Sequence, residues 1–309
     1  MRSASLPSLR ARLQYRRITM ASRPLASRIP ARSWDSHMHV VDVENFALCN
    51  NPQYTPHSHT LPEAQAFEAS VGLSNIVLVQ PSIYGTDNAC LLAALRELGP
   101  ARACGVVVFD PKDTRRETLR AWHAAGVRGV RVNLVSVGKS MDMEELRSTL
   151  GTYAEVIREF GWCVQLYLPM AMIDDLERAM SETGVRVCID HFGQPDLAQM
   201  KGEDPYTLPG FGALVRLLKG GRTFVKLSAP YRISKRDDLS DLEPVAKEIL
   251  KVAGRDRVVF STDWPHTRYD GLDIRPFMQK VLEWSGDDEL LVDRLFRGNA
   301  EDLWAVESS

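Results

Sequence analysis

Eight short β-rich apolar runs, each followed by a longer stretch, several of them with helical periodicity, constrain the fold of this chain more than any other feature. The runs are Trp34–His37, Asn75–Gln80, Ala103–Phe109, Val127–Asn133, Trp162–Leu168, Val185–Asp190, Thr223–Ser228 and Val258–Ser261. Several are nearly continuous Val, Ile, Leu and Phe, which is what a parallel strand buried on both faces requires. Amphipathic stretches lie between them, including Asn88–Leu98, Asp113–Ala125, Met143–Phe160, Met170–Thr183 and Leu242–Ala253. Thr86 or Asp87 is expected to cap the first of these, and Asp113 or Thr114 the next. Gly126, Gly161, Gly184 and Gly221 stand where helices should end.

Strands alternating with helices force parallel pairing, and eight such units in roughly 250 residues define an α/β fold, a (β/α)8 TIM barrel. An open doubly wound sheet is the alternative. It needs a glycine-rich phosphate turn after its first strand. Gly210-Phe211-Gly212 lacks the third glycine and follows no strand. The body, residues 33–309, therefore reads as one barrel domain with a long first loop through Asn50-Asn51-Pro52-Gln53-Tyr54.

Active sites of such barrels sit at the C-terminal strand ends, and the polar residues of this chain fall there. The first strand ends in His37-Met38-His39, where alternation aims both imidazoles the same way. The second runs into Gln80-Pro81-Ser82, with Tyr84 beyond. The fourth carries Arg131 and Asn133 on one face, and the fifth Gln165 and Tyr167. The sixth ends in Asp190-His191, the seventh carries Lys226 and Ser228, and the eighth ends in Thr262-Asp263-Trp264. A charge inside an apolar strand needs a partner, so Arg131 and Lys226 call for an anion or water. Asp190 is read first as a ligand for a nearby loop amide, Arg128 as half of a structural ion pair, and His123 as a surface residue. His57 and His59 form a second His-x-His, but in a polar loop that favours a solvated or lid role.

Composition excludes several function classes. Net charge is −2, yet residues 1–34 hold eight of the 38 basic residues and no acidic one. The remaining 30 basic against 40 acidic residues make the body anionic, which argues against nucleic acid as a partner. No stretch is apolar enough to span a membrane. Five cysteines, none two residues apart, suggest neither a disulfide framework nor a zinc ribbon, and point to an intracellular protein. Residues 1–32 form a basic, acid-free leader expected to be disordered, with the make-up of a mitochondrial transit peptide. A cytoplasmic chain with a basic tail is the alternative. The sequence leaves the oligomeric state open.

The ordered motifs Asp35-Ser36-His37-Met38-His39, Gln80-Pro81-Ser82, Arg128-Gly129-Val130-Arg131-Val132-Asn133, Asp190-His191-Phe192-Gly193, Val225-Lys226-Leu227-Ser228, Ser261-Thr262-Asp263-Trp264-Pro265-His266 and Gly298-Asn299-Ala300 cover nearly the whole body. In these the chain resembles the amidohydrolase superfamily, in its amidohydrolase-related (amidohydrolase 2) group, and within that the branch of the 2-pyrone-4,6-dicarboxylate lactonases. The resemblance implies hydrolysis of a lactone of a small carboxylated substrate. It implies Asp263 as the base that activates water, with His37, His39 and His191 around the substrate carbonyl. Ser82, Arg131, Tyr167 and Arg232 are expected to hold substrate oxygens, with Tyr54 reaching in from the first loop. Gln194, also expected at the substrate, stands where the dicarboxylate lactonases carry an arginine, and Val137 replaces a second cation. Those two losses favour a substrate with one carboxylate.

The expected mechanism needs no cofactor. If a metal is bound, His37, His39, His191 and Asp263 form a mononuclear zinc set with room for water. Two other functions compete: a zinc-dependent decarboxylase of an aromatic or muconate-type acid, and a non-catalytic barrel that binds ligands. A serine hydrolase is disfavoured, since no Gly-x-Ser-x-Gly occurs.

Overall fold

The computed structural model describes residues 24–135 and 143–306. All eight expected strands are present, each within about two residues of its run at either end. They are β1 (Trp34–Met38), β2 (Asn75–Val79), β3 (Ala103–Val107), β4 (Val127–Asn133), β5 (Cys163–Tyr167), β6 (Arg186–Ile189), β7 (Thr223–Leu227) and β8 (Val258–Phe260). They pair in parallel in sequence order from β1 to β8. Closure comes from the end of β1, with His39 just beyond it, and the segment just beyond β8. Met38 bridges Trp264 in parallel, the His39 N–H donates to Trp264 O at 2.8 Å, and the Asp263 N–H donates to His37 O at 2.9 Å. The chain is a (β/α)8 barrel.

Alternation along the strands divides the core in two. Val77, Val79, Cys104, Val106, Cys163, Cys188, Phe224 and Val259 fill the barrel interior. Ile76, Leu78, Val107, Val164, Val187 and Val225 face outward against the helices. Each such buried aliphatic side chain contributes about 1.5–3 kcal/mol. A C-terminal helix, Asn299–Trp304, plugs the interior with Ala300, Leu303 and Trp304.

The register of β1 against β2 shifts between Asp35 and Met38. Trp34 lies in the interior, and Ser36 accepts from Trp304 Nε1 there. The irregularity then turns His37 and His39 inward as well, while Met38 packs outward. Outward-facing Asp35 ties the closure together. Its Oδ1 accepts from the backbone N–H of His37 at 3.0 Å and of Thr262 at 2.9 Å, and its Oδ2 from the Thr262 hydroxyl.

The surrounding helices include α1 (Leu61–Val71), α2 (Ala89–Leu98), α3 (Arg116–Ala124), α4 (Met143–Ile157), α5 (Ile173–Glu182), α6 (Phe211–Lys219), α7 (Glu243–Ala253) and α8 (Arg275–Trp284). Asn88 occupies the N-cap of α2, and Asp87 accepts from Ala89 N at 3.0 Å. Helix α3 begins later than expected, with Arg115 at its N-cap and no side-chain cap. Asp113 and Thr114 instead join a backbone turn on Asp110.

Most of the expected leader, residues 1–23, lies outside the described residues. Its last part is packed. Leu25–Arg28 form a 3-10 turn, Ile29 is buried, and Arg28 pairs with Asp287 at 2.5 Å. No described helix is long and apolar enough to cross a membrane. All five cysteines are free.

Candidate active site

Three imidazole Nε2 atoms surround one carboxylate oxygen at the C-terminal mouth of the barrel. Asp263 Oδ1 lies 3.6 Å from His37, 3.8 Å from His39 and 3.9 Å from His191. β1 and its extension supply His37 and His39. His191 begins a turn after β6 in which His191, Phe192, Gly193 and Gln194 all have positive φ, between 50° and 79°. Asp263 has φ 63°. Non-glycine residues in this region are strained, by about 1–3 kcal/mol each, and such strain concentrates at functional sites.

The outer nitrogens of the imidazoles are each held from behind. His39 Nδ1 is 2.7 Å from Val79 O, His191 Nδ1 is 2.7 Å from Ser228 Oγ, and His37 Nδ1 is 3.3 Å from Asp190 Oδ1 and 3.2 Å from Lys226 Nζ. A carbonyl can only accept, so His39 Nδ1 carries the proton and its Nε2 presents a lone pair. As a neutral ring in this tautomer His39 cannot donate to an oxyanion through Nε2. Its lone pair and Asp263 Oδ1 are both acceptors, and the space before them suits a water or a cation.

Burial drives all three imidazoles toward the neutral form. It brings His39 and His191 down to about 4, and His37 well below the usual imidazole range. Burial pushes the Asp263 carboxyl up, but surrounding positive charge more than offsets it and holds Asp263 well below the ordinary carboxylate range. With the imidazoles neutral, Arg232 is the cation in contact. Its Nε donates to Asp263 Oδ2 at 3.0 Å, beside the Tyr231 hydroxyl at 2.6 Å.

Beneath this floor lies a buried ion network. Lys226 is 3.2 Å and Arg131 3.6 Å from Asp190, which also accepts from Gln165 Nε2 at 3.0 Å. The anion that Arg131 and Lys226 demand is thus Asp190, not a loop amide's partner but the counter-ion of both. Lys226 and the other groups near it hold the Asp190 carboxyl well below its usual range despite complete burial.

Above the floor is a cavity of about 130 Å³ whose wall includes His39, Tyr54, Ser82, Arg131, Tyr167, His191, Arg232 and Asp263. Eight of the ten residues expected at the site line it. His37 lies just behind, fully buried. Gln194 does not line it; its side-chain oxygen is buried without a hydrogen-bond partner among the described residues. Val137 lies outside the described residues. Gln53, Thr267 and Arg268 also line the cavity, and Tyr231 braces Asp263. Sequence reasoning missed these four, because they stand in loops without periodicity. For Thr267 and Arg268 the signal was the density of polar and aromatic residues following the Asp263-Trp264-Pro265-His266 motif, whereas Gln53 and Tyr231 lie elsewhere in the sequence.

Other expectations fare variously. Arg128 forms no ion pair among the described residues but donates to the carbonyls of His123 and Val127. His123 is half-buried and accepts from Trp162 Nε1 at 3.0 Å. His57 is exposed, whereas His59 pairs its backbone with Val41 and sets its ring 5.6 Å from Trp264. Neither lines the cavity.

The inward donor set fits a metal ion. The candidate ligand atoms of His37, His39 and Asp263 lie within 4.8 Å of one another, and His37 Nε2 is buried without a hydrogen-bond partner among the described residues. The backing of Nδ1 by a carbonyl, a carboxylate and a hydroxyl is the outer-shell pattern of ligating histidines.

A parallel eight-stranded barrel with His-x-His after its first strand, a histidine after the sixth and an aspartate after the eighth defines a class of barrel hydrolases. The chain belongs to the amidohydrolase family, whose model matches residues 34–306. It is 30% identical over 248 residues to a 4-sulfomuconolactone hydrolase of Hydrogenophaga intermedia, covering 80% of this chain and 78% of that one. It is 29% identical over 291 residues to a 2-pyrone-4,6-dicarboxylate hydrolase of Comamonas testosteroni, covering 87% and 90%. A Pseudomonas putida crystal structure, provisionally assigned as a 2-pyrone-4,6-dicarboxylic acid hydrolase, superposes with a TM-score of 0.75 at 30% identity, over 91% of this chain and all of that one. A Burkholderia multivorans amidohydrolase sharing the fold at 20% identity, with a TM-score of 0.68 over 90% of this chain and 100% of its own, was solved with zinc bound.

Proposed function

We propose that this chain opens the ester ring of a small carboxylated lactone by adding water. The observation that carries the reading is the ring of three Nε2 atoms around Asp263 Oδ1 at the floor of an arginine-lined cavity. Its two curated relatives named above are lactone hydrolases, which supports the same class of substrate.

A water between His39 Nε2 and Asp263 Oδ1 faces two acceptors, which orients its oxygen toward the cavity. Asp263 takes its proton as the oxygen attacks the lactone carbonyl carbon. Negative charge then grows on the carbonyl oxygen. His191 can meet it if the Ser228 hydroxyl donates to Nδ1, which leaves a proton on Nε2. Collapse breaks the bond between the acyl carbon and the ring oxygen, and the proton held by Asp263 passes to that leaving oxygen. Arg131, Arg232 and Ser82 hold the substrate's carboxylate by charge-assisted bonds.

These steps use only the chain's own groups, and on this reading a metal is not required. His37, His39, His191 and Asp263 would hold one zinc ion, which when bound supplies Lewis-acid polarisation of water or carbonyl.

The test is a panel of pyrone carboxylates, muconolactones and sugar lactones read by product mass. Gain of one water is the expected result. Loss of carbon dioxide would assign the site to a decarboxylase, and no turnover by folded protein would leave only a binding role.

A further inference from the structure

Lys226 takes no part in the steps above, yet it is a fully buried cation directly beneath the imidazoles. Alternation along β7 turns it inward, two residues after Phe224. Its ammonium meets three groups. Asp190 Oδ1 and His37 Nδ1 are each 3.2 Å away, and the ring of Trp304, on the C-terminal helix, has its centroid 5.4 Å away.

The contact with His37 fixes a proton. An ammonium has three hydrogens and no lone pair, so it can only donate, and His37 Nδ1 must accept. Asp190 Oδ1, at 3.3 Å, is the other group that faces Nδ1. It stands off the line of an Nδ1–H and accepts no hydrogen bond among the described residues. The lone pair of Nδ1 therefore belongs to Lys226. A proton on Nδ1 would point at the ammonium, which excludes the other neutral tautomer and the imidazolium alike. His37 keeps its single proton on Nε2, facing Asp263 Oδ1 at 3.6 Å. That gap is longer than a hydrogen bond, so the N–H is offered to an oxygen placed between them. His37 and His39 thus differ in kind, although they are two residues apart. His39 gives its Nδ1 proton to Val79 O and presents a lone pair, whereas His37 presents a proton.

We propose that Lys226 is a positioning residue that holds His37 as the Nε2–H tautomer, giving the floor of the site one donor beside the acceptors of His39 and Asp263 and withholding the His37 lone pair from a cation. Zinc can use His37 only if its proton moves to Nδ1, toward Asp190, and Lys226 opposes that move. On the lactonase reading, a water that donates to His39 Nε2 and Asp263 Oδ1 accepts from His37, which fixes its third direction and leaves one lone pair for the carbonyl carbon. The tautomer itself belongs to the protein without substrate, so its test succeeds or fails independently of the lactone panel.

Two-bond proton–nitrogen correlation spectra of the imidazole rings, taken on metal-free, substrate-free protein at neutral pH, read the proton directly. His37→Gln identifies the His37 signals. In wild type the pattern of an Nε2–H ring is expected for His37. An Nδ1–H or doubly protonated pattern overturns the proposal, and that result needs no change at Lys226. In Lys226→Met, Asp190 alone faces Nδ1, and the proton is expected to move there. Zinc affinity of the same metal-free protein, measured by calorimetry, should then rise about 10- to 100-fold, the range over which the partners of ligating histidines act. Tighter zinc binding with the proton still on Nε2 would mean that Lys226 acts through its charge alone, and overturns its positioning role. Zinc affinity within twofold of wild type overturns it too. A melting curve shows whether Lys226→Met is folded; if it is not, the wild-type spectrum decides alone.

Discussion

Asp263 donates its backbone N–H to the carbonyl of His37 at 2.9 Å, and the same two residues face each other through Oδ1 and Nε2 at 3.6 Å. Closing the barrel and assembling the site are therefore one event. The bond that joins the first strand end to the last also sets the carboxylate among the imidazoles.

Asp263→Asn keeps the shape of the side chain and removes its ability to take a proton. Loss of a general base costs about 10²- to 10⁴-fold. The variant is expected to lose that much in kcat/KM on any lactone the wild type opens, with little change in circular dichroism. Activity within threefold of wild type would end the assignment of Asp263 as base.

The pH profile should be flat where histidine chemistry usually shows. His39 and His191 are brought to about 4 by burial, and Asp263 is ionised well below that. All three are in their working forms above about pH 5. The acid limb of kcat/KM is expected near 4. A limb near 6.5, the ordinary imidazole range, would show that the imidazoles titrate in the open.

Metal content separates the two chemistries the donor set permits. We expect full activity in protein whose metal is far below one equivalent after chelation, measured by elemental analysis on the assayed sample. Activity that disappears on chelation and returns with one equivalent of zinc would transfer the chemistry to the zinc reading.

Asp35 binds two backbone N–H groups and the Thr262 hydroxyl across the closure. Asp35→Asn should destabilise the fold by about 1–3 kcal/mol, read from denaturant midpoints at constant slope. Burial first of all pushes the Asp35 carboxyl from 3.8 up to about 6. Between those values the folded chain binds the proton that the unfolded chain releases, so this group's contribution falls as pH rises through that window. The difference between variant and wild type should narrow accordingly. A gap that widens from pH 4 to 6 would contradict this sign.

The strands were legible because a parallel strand buried on both faces must be apolar almost throughout, as Ile76, Val77, Leu78 and Val79 are. The same rule made Arg131, Lys226, Asp190 and Asp263 conspicuous as exceptions. Tyr231, Thr267 and Arg268 were not legible, since loop residues carry no period and their direction depends on φ values such as 70° at Arg268. Gln194 shows the limit from the other side. It stands three residues after His191, yet the left-handed turn that includes it leaves it off the cavity wall.

The sequence alone determined the barrel and which side chains stand at its C-terminal strand ends, because period-two alternation and double-sided burial are local and repeat. Tertiary structure decided their chemistry. His39 has a lone pair facing inward only because Val79, on the neighbouring strand, offers a carbonyl to its other nitrogen at 2.7 Å. Asp263 is a carboxylate despite its burial because Arg232 and the Tyr231 hydroxyl both donate to its Oδ2. Protonation state and tautomer are properties of neighbours a few ångströms away, and only the closed barrel brings those neighbours together.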